Sequence, residues 1–401
     1  MSTVLILKIL IVPANDWVYG PKQYFHDLAE LLAEKHDVYV WHFRLFPGKK
    51  PCFQKTGKIK LVEPPSIYLR NLSFYYVINF VFHALFFVRM VRKLKINTVV
   101  SLNLLPSLWA FLFTPSETLK IFGLEDYYPE SASVYYEGSM DIVRRVLEAV
   151  AVLVNKIGLK LADLTLSPCF SLVNLSTKMG CNKSYFLPNG VDASFYKPLK
   201  DQDSLLKEKL NLSDHTIVFF GLIEKWLDFK TVLNGMRMLK RRIPDVKLLI
   251  IGSTLTGYAD VLKKELDDAG LSNDVVLTGY VENELVPQYL NLGDVCLMPY
   301  SLRNFSGKIR LPLKLFIYSA MGKPILSVSL PEVKRFKPKH VFFYNDAKSF
   351  ADSAERILKG DRLQRTFESD ARNFALTFDY SKLALSCEEI MLKELENKNA
   401  C

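Results

Sequence analysis

Four short apolar runs recur through the second half of the chain, and three of them close on a glycine. Residues 216–220 precede Gly221, 246–251 precede Gly252, 275–278 precede Gly279, and 295–298 run into Pro299. Between them lie segments of helical period at 230–241, 258–269 and 284–292. Runs that short and that uniformly apolar predict strands buried on both faces of a parallel sheet, with the intervening helices as crossovers. The first half carries the same rhythm, with strands expected at 4–12, 38–43, 98–100, 120–123, 162–166 and 185–187, and helices at 24–35, 72–91 and 140–161. Segment 192–211 breaks it with Phe195, Tyr196, Pro198 and a polar run, and is read as the linker. Strands at 324–327 and 341–344 and helices at 349–358 and 381–396 complete the pattern. Two successive α/β halves with ligand loops at their strand ends predict a cleft between them.

A chain of 401 residues suits two domains with separate cores, and 49% hydrophobic with 23% charged residues is a globular composition. The net charge of +10 fits an anionic ligand or membrane surface. The basic residues are spread along the chain and form no nucleic-acid module, so nucleic acid is not expected as a partner. Six cysteines without a CxxC pair suit a reducing cytoplasm and predict no metal site. The run 4–12 lacks a basic leader, contains Lys8 and ends without a cleavage site, so it reads as a first strand rather than a signal peptide. The run 72–91 has the length of a membrane span, but Asn79 and His83 interrupt it and Arg89, Arg92 and Lys93 close it. A long helix buried on one face is expected; a surface-lying helix with a basic end is the alternative.

The richest local signal lies at 297–324. An apolar strand breaks at Pro299, a basic, flexible loop follows with Arg303, Asn304, Lys308 and Arg310, and Pro312 takes the expected first position of a helix that ends at Gly322. A helix start offers free N–H groups and a partial positive charge, so this segment, with Lys314, would hold a diphosphate. The local residues fit an ordinary solvated basic loop equally well. In the first half, Leu124-Glu125-Asp126-Tyr127-Tyr128-Pro129 follows a strand directly. Carboxylates and flat rings there make a sugar-binding corner or a solvated turn, and Asp126 either orients sugar hydroxyls or caps the backbone. The single Gly20 in the first loop gives no GxGxxG series and no sign of a dinucleotide.

Several pieces in order resemble the retaining GT-B glycosyltransferases of family 4. They are Leu187-Pro188-Asn189-Gly190-Val191-Asp192, Gly252, Val276-Leu277-Thr278-Gly279-Tyr280-Val281, Tyr289, Gly293-Asp294-Val295, Pro299-Tyr300, and Pro312-x-Lys314-Leu315-Phe316-x-Tyr318-x-Ala320-x-Gly322-Lys323-Pro324. The likeness covers about residues 160–345 and is specific as a set. The first half matches only in its strand–helix–strand start, the Gly20 loop and the Asp126 corner. The resemblance implies two Rossmann-like domains facing each other across a deep cleft. It assigns the acceptor to 1–192, the donor to 193–379, and a C-terminal helix at 380–398 crossing back onto the first domain.

By the same likeness, Gly20, Arg303, Asn304, Lys308, Pro312 and Lys314 would bind the donor, while Asp126, Lys225 and Arg310 would serve catalysis, without a cofactor or metal. Two departures stand out. The family often carries two glutamates with seven residues between them, and Ile309 and Ile317 occupy those positions; the branch this chain resembles lacks only the first. The basic pair expected after Gly221 is irregular, leaving Lys225 or Lys230 to serve. The expected function is retaining transfer of a hexose from a nucleotide sugar to a glycan hydroxyl. The acceptor would be a lipid-linked phosphorylated glycan of cell-surface or protein N-glycan assembly, at the cytoplasmic face of a membrane whose anionic surface the chain contacts peripherally. The alternatives are a non-catalytic sugar-binding partner of an active transferase and a nucleotide-sugar epimerase.

Overall fold

A computed structural model describes residues 5–20, 25–43, 45, 57–69, 72–102, 104–127, 141–200, 203–254, 257–303 and 305–400. They divide into two compact units, 1–188 with 380–401 and 189–379. Residues 189–192 thus fold with the second unit.

The first unit is wound on a sheet of seven parallel strands: β1 (Lys8–Val12), β2 (Asp37–Trp41), β3 (Lys60–Val62), β4 (Thr98–Ser101), β5 (Leu119–Gly123), β6 (Leu164–Ser167) and β7 (Ser184–Phe186). Their spatial order is β3-β2-β1-β4-β5-β6-β7. The order reverses at β1, so helices leave its two sides on opposite faces. Helices α1 (His26–Leu32), α2 (Leu72–Ile78), α3 (Phe80–Leu94), α4 (Leu104–Leu112), α5 (Asp141–Leu161) and α6 (Phe170–Lys178) lie between the strands. One face packs α1 against the strands, with Leu28 beside Ile9 and Ile11 in a single apolar cluster. The other face packs α3, α4 and α5, with Phe87, Trp109 and Leu159 clustered around Leu10 and Val99.

Helices α2 and α3 replace the one long helix expected over 72–91. Asn79 is the cause: it is fully buried, its amide donates to the Ile67 (2.8 Å) and Tyr75 (2.9 Å) carbonyls, and its side-chain oxygen accepts from the Ile67 N–H at 2.7 Å. A polar side chain that clasps a neighbouring loop bends the helix around it. No described helix is long and apolar enough to cross a membrane.

The second unit has a sheet of six parallel strands: β8 (Thr216–Phe220), β9 (Lys247–Ile251), β10 (Val275–Gly279), β11 (Val295–Met298), β12 (Ile325–Val328) and β13 (Val341–Tyr344). Their order is β10-β9-β8-β11-β12-β13, so the reversal falls between β8 and β11. Helices α7 (Ser204–Lys209), α8 (Phe229–Lys240), α9 (Tyr258–Ala269), α10 (Val286–Asn291), α11 (Phe305–Lys308), α12 (Leu313–Ala320), α13 (Pro331–Arg335), α14 (Ala347–Leu358) and α15 (Asp361–Thr377) connect and cover it. Helix α16 (Tyr380–Asn399) belongs to the first unit, where Leu383, Cys387 and Met391 join the α1 face. Its Glu394 accepts from the Tyr185 hydroxyl at 2.6 Å and pairs with Lys183. Strands β9 and β11 are buried almost throughout, as uniformly apolar parallel strands must be.

Asn79→Ala would strip the Ile67 N–H and C=O of their partners in a partly buried setting. A cost of about 2–3 kcal/mol is expected, read as a lower urea midpoint for the first-unit transition.

Candidate functional site

In the second unit the strand ends at the point of reversal are built from glycine. Gly221 has φ +129°, Gly252 +145° and Gly279 +72°, all in the region side chains disfavour. The Gly221 N–H donates to the Ile251 carbonyl at 2.8 Å, and the Gly252 N–H to the Gly279 carbonyl at 2.9 Å. A Cβ on Gly252 would come within 2.1 Å of the Gly221 carbonyl oxygen, so the two backbones touch there. On the opposite side of β8, Lys314 projects from the first turn of α12 to Gly221, its Nζ 2.6 Å from where a Cβ would stand.

That ammonium donates to the Tyr300 hydroxyl at 3.2 Å and lies 5.2 Å from the Phe219 ring centre and 5.5 Å from that of Tyr300. The Arg310 guanidinium is 5.4 Å from the same Tyr300 ring. Neither cation pairs with a carboxylate among the described residues. Two positive groups held by ring faces, beside exposed backbone and a helix start, form a site for an anion.

The loop after β8 is pinned to the end of β11. The Asp228 N–H donates to the Pro299 carbonyl at 2.7 Å, and the Ser301 N–H to that of Trp226 at 2.9 Å. Beneath the turn, buried Glu224 accepts from the Thr254 hydroxyl at 3.1 Å. Lys225 stands exposed on this turn, while Arg303 and Lys308 are exposed on the segment after β11. Of the sequence-predicted cations, then, Arg310 and Lys314 converge on Tyr300. Asn304 lies outside the described residues.

Two local expectations are corrected. The segment 303–310, expected as a flexible loop, contains the short helix α11, and buried Ile309 and Leu311 tie it to the domain. Pro312 is extended (φ −71°, ψ 138°) and caps α12, whose first helical residue is Leu313. A proline ring brings no N–H to a helix start in either position, and here its carbonyl accepts from the Leu315 N–H at 3.0 Å. The glycine expected past the other end is in place: Gly322 follows α12 at φ +70°.

The first unit gathers its polar groups at the carboxyl ends of its own strands. After β1, fully buried Asp16 accepts from the Val18 and Tyr19 N–H groups at 3.0 and 2.9 Å and from that of Leu45 at 2.7 Å, with His42 Nε2 at 3.3 Å. Burial pushes this carboxyl up, but the His42 contact and the Tyr19 and Leu45 amides outweigh it and hold it at about 2. Gly20 closes the loop by donating to the Asp16 carbonyl at 3.1 Å, and a Cβ there would lie 2.5 Å from that oxygen. After β5, Asp126 accepts from the Tyr127 N–H at 2.8 Å. Tyr128 and Pro129 lie outside the described residues. Beside Asp126, Glu125 has a buried Oε1 without a hydrogen-bond partner among the described residues, and burial followed by the Asp126 charge raises its carboxyl to about 8.

Sequence reasoning does not single out Glu125, Asp16 or Tyr300 as site residues. Glu125 is signalled by its place directly after a strand. Tyr300 lies in the Pro299-Tyr300 piece of the resemblance without a role assigned to it, whereas nothing local marks Asp16, whose partners His42 and Leu45 come from a distant segment.

Residues 214–360 match the family model of the Glycosyl transferases group 1, a span that contains Gly221, Tyr300, Arg310 and Lys314. The chain is 29% identical over 209 residues to a protein assigned to teichuronic acid biosynthesis as the glycosyltransferase TuaH of Bacillus subtilis, covering 51% of this chain and 49% of that protein. It is 24% identical over 226 residues to the 2-deoxystreptamine N-acetyl-D-glucosaminyltransferase of Niallia circulans, covering 53% and 52%. Each match spans about half of the curated relative. Among solved structures, sucrose-phosphate synthase of Thermosynechococcus elongatus aligns with a TM-score of 0.72 at 16% identity, over 96% of this chain and 98% of that one. Anabaena HepE, solved with UDP and glucose, aligns at 0.69 and 14%, over 96% and 99%. The fold is therefore GT-B, with two Rossmann-like domains. The match to the Glycosyl transferases group 1 model lies within the second unit.

Two outcomes are expected. Gly252→Ala forces a side chain against the Gly221 backbone and should cost about 1–3 kcal/mol, seen as an earlier second-unit transition in urea. For Glu125, the folded state keeps a proton that the unfolded chain releases near its ordinary value of 4.5, so this group's contribution to stability falls as pH rises from 4.5 to about 8. Glu125→Gln cannot ionise, and thermal melts should show its advantage over the parent growing across that window.

Proposed function

We propose that the chain transfers a hexose from a nucleotide diphosphate sugar to a glycan hydroxyl, with retention at the anomeric carbon. The observation that carries the reading is the pair of cations, Lys314 and Arg310, gathered on Tyr300 beside the Gly221 backbone. A departing nucleotide diphosphate gains negative charge as the glycosidic bond breaks. Lys314, Arg310 and the start of α12 would stabilise that charge in place, and Lys225, Arg303 and Lys308 would meet the outer phosphate from exposed positions. Fixed charges aimed at a developing anion need no rearrangement during the reaction.

The acceptor would engage the first unit, where Asp126 orients a hydroxyl. One curated relative is named for teichuronic acid biosynthesis, which supports a role in glycan assembly; the other is named for transfer to 2-deoxystreptamine. We assign this chain to cell-surface glycan assembly on a lipid-linked acceptor, ahead of protein N-glycosylation. Ile309 and Ile317 are both buried and offer no hydrogen bond to a ribose or sugar hydroxyl. A chain that only bound sugar for an active partner would share this feature, and transfer by the purified chain alone separates the two.

Lys314→Ala and Arg310→Ala should each lower turnover by about a hundredfold or more while the circular dichroism stays unchanged. The check is release of nucleotide diphosphate from a panel of nucleotide sugars with a glycan acceptor. Unaltered turnover in both variants would remove the diphosphate from this site.

A further inference from the structure

The first unit leaves two apolar stripes in water. On α2 and α3, Phe74, Val77, Val81, Phe82 and Leu85 are 63, 64, 62, 53 and 68% exposed. Their spacing lines one side of the helix pair, and Arg89 and Arg92 continue that side in the next turns, both exposed. The opposite side, His83, Ala84, Phe87 and Val91, is buried in the domain. On α5, Ile142, Val146, Val150, Leu153 and Ile157 are 69, 56, 49, 58 and 39% exposed at the same helical spacing. Exposed Arg145, Lys156 and Lys160 flank them. Helices α3, α4 and α5 cover the same face of the sheet, and the α4 end adds exposed Leu112 and Phe113.

Charge selects the occupant. From Glu63 to Glu117 the sequence holds no acidic residue, while Arg70, Arg89, Arg92, Lys93 and Lys95 fall between them. Helix α5 sets Asp141 and Glu148 against Arg144, Arg145, Lys156 and Lys160, so its balance is also positive. Apolar stripes bordered by cations match a bilayer whose headgroups are anionic. A second copy fits poorly, because a two-fold contact would set the same cations against each other. We propose that this face lies on an anionic membrane surface, with the α3 and α5 side chains entering the headgroup boundary. No described helix crosses a bilayer, so the contact is a surface one. The inference rests on the transferase reading for its purpose, which is to bring the first unit to lipid-linked acceptors; the binding itself rests on the surface.

The test is flotation of the full chain with vesicles of phosphatidylglycerol and phosphatidylcholine, and with phosphatidylcholine alone. The chain should float with the anionic vesicles, less so as salt rises, and stay behind with the neutral ones. Two double variants, Phe82→Ser with Leu85→Ser and Val150→Ser with Leu153→Ser, change exposed residues only. Each should weaken vesicle binding by at least about tenfold with an unchanged circular dichroism spectrum. Absence of flotation, flotation of both variants at parental strength, or lipid-free self-association that the same substitutions abolish would overturn the proposal. Thermal shift with a panel of nucleoside diphosphates in vesicle-free solution runs alongside. Flotation lost with the nucleotide shift intact removes the membrane contact alone, and the reverse result removes the transferase reading alone.

Discussion

The approach of the Lys314 ammonium to the Gly221 backbone depends on several independent features at once. The sheet must reverse between β8 and β11 so that α12 starts beside the end of β8. Gly221 must take φ +129°, because a side chain would occupy the space that the ammonium fills. Gly252 must also lack a side chain, because the Gly221 carbonyl is in contact with it. The charge then rests on the Phe219 and Tyr300 rings instead of a carboxylate. An acidic partner would have neutralised the site, whereas ring faces hold a cation and leave its charge available to a ligand.

The first unit solves a different problem at its own strand ends. Asp16 gathers three backbone N–H groups from two segments, fixing the loop after β1 against the one after β2. Its carboxyl is ionised because those donors favour the charged form over the cost of burial. Glu125 has no such donors on Oε1, and burial keeps it protonated near neutrality. Two carboxyls at the strand ends of one sheet thus hold opposite charge states, the first serving the backbone and the second left with hydrogen-bonding capacity.

How much of this is legible in the sequence follows from range. Strands β8, β9, β10 and β11 are short apolar runs that end at glycine or proline, so composition alone locates them to within a residue or two. Strand β3, only three residues long and partly exposed, leaves no such trace. Helix α15 is strongly polar and escapes for the opposite reason. The bend at Asn79 is hidden because its partner, Ile67, is a loop residue with no signal of its own. At the site, the glycines and the basic segment can be read locally. Which of the cations converge cannot, since Lys314 meets Gly221 and Arg310 meets Tyr300 only through the strand order.

The two isoleucines bear on how a donor could be held. In the related branch a glutamate stands where Ile317 is buried here, on the second turn of α12. An isoleucine there removes a hydrogen-bond acceptor without leaving a hole, since the side chain is packed into the domain. Nearby, Tyr318 turns its hydroxyl to the backbone of Phe220, accepting from that N–H at 2.9 Å, so it is committed to the sheet. Under the proposed function, recognition of a donor would lean on its phosphates, through Lys314, Arg310 and the glycine backbone, and on whatever the exposed rings of Trp226 and Tyr280 offer to a flat group. Phosphate contacts are strong but do not distinguish one sugar from another, so discrimination among sugars would have to come from polar groups outside this cluster.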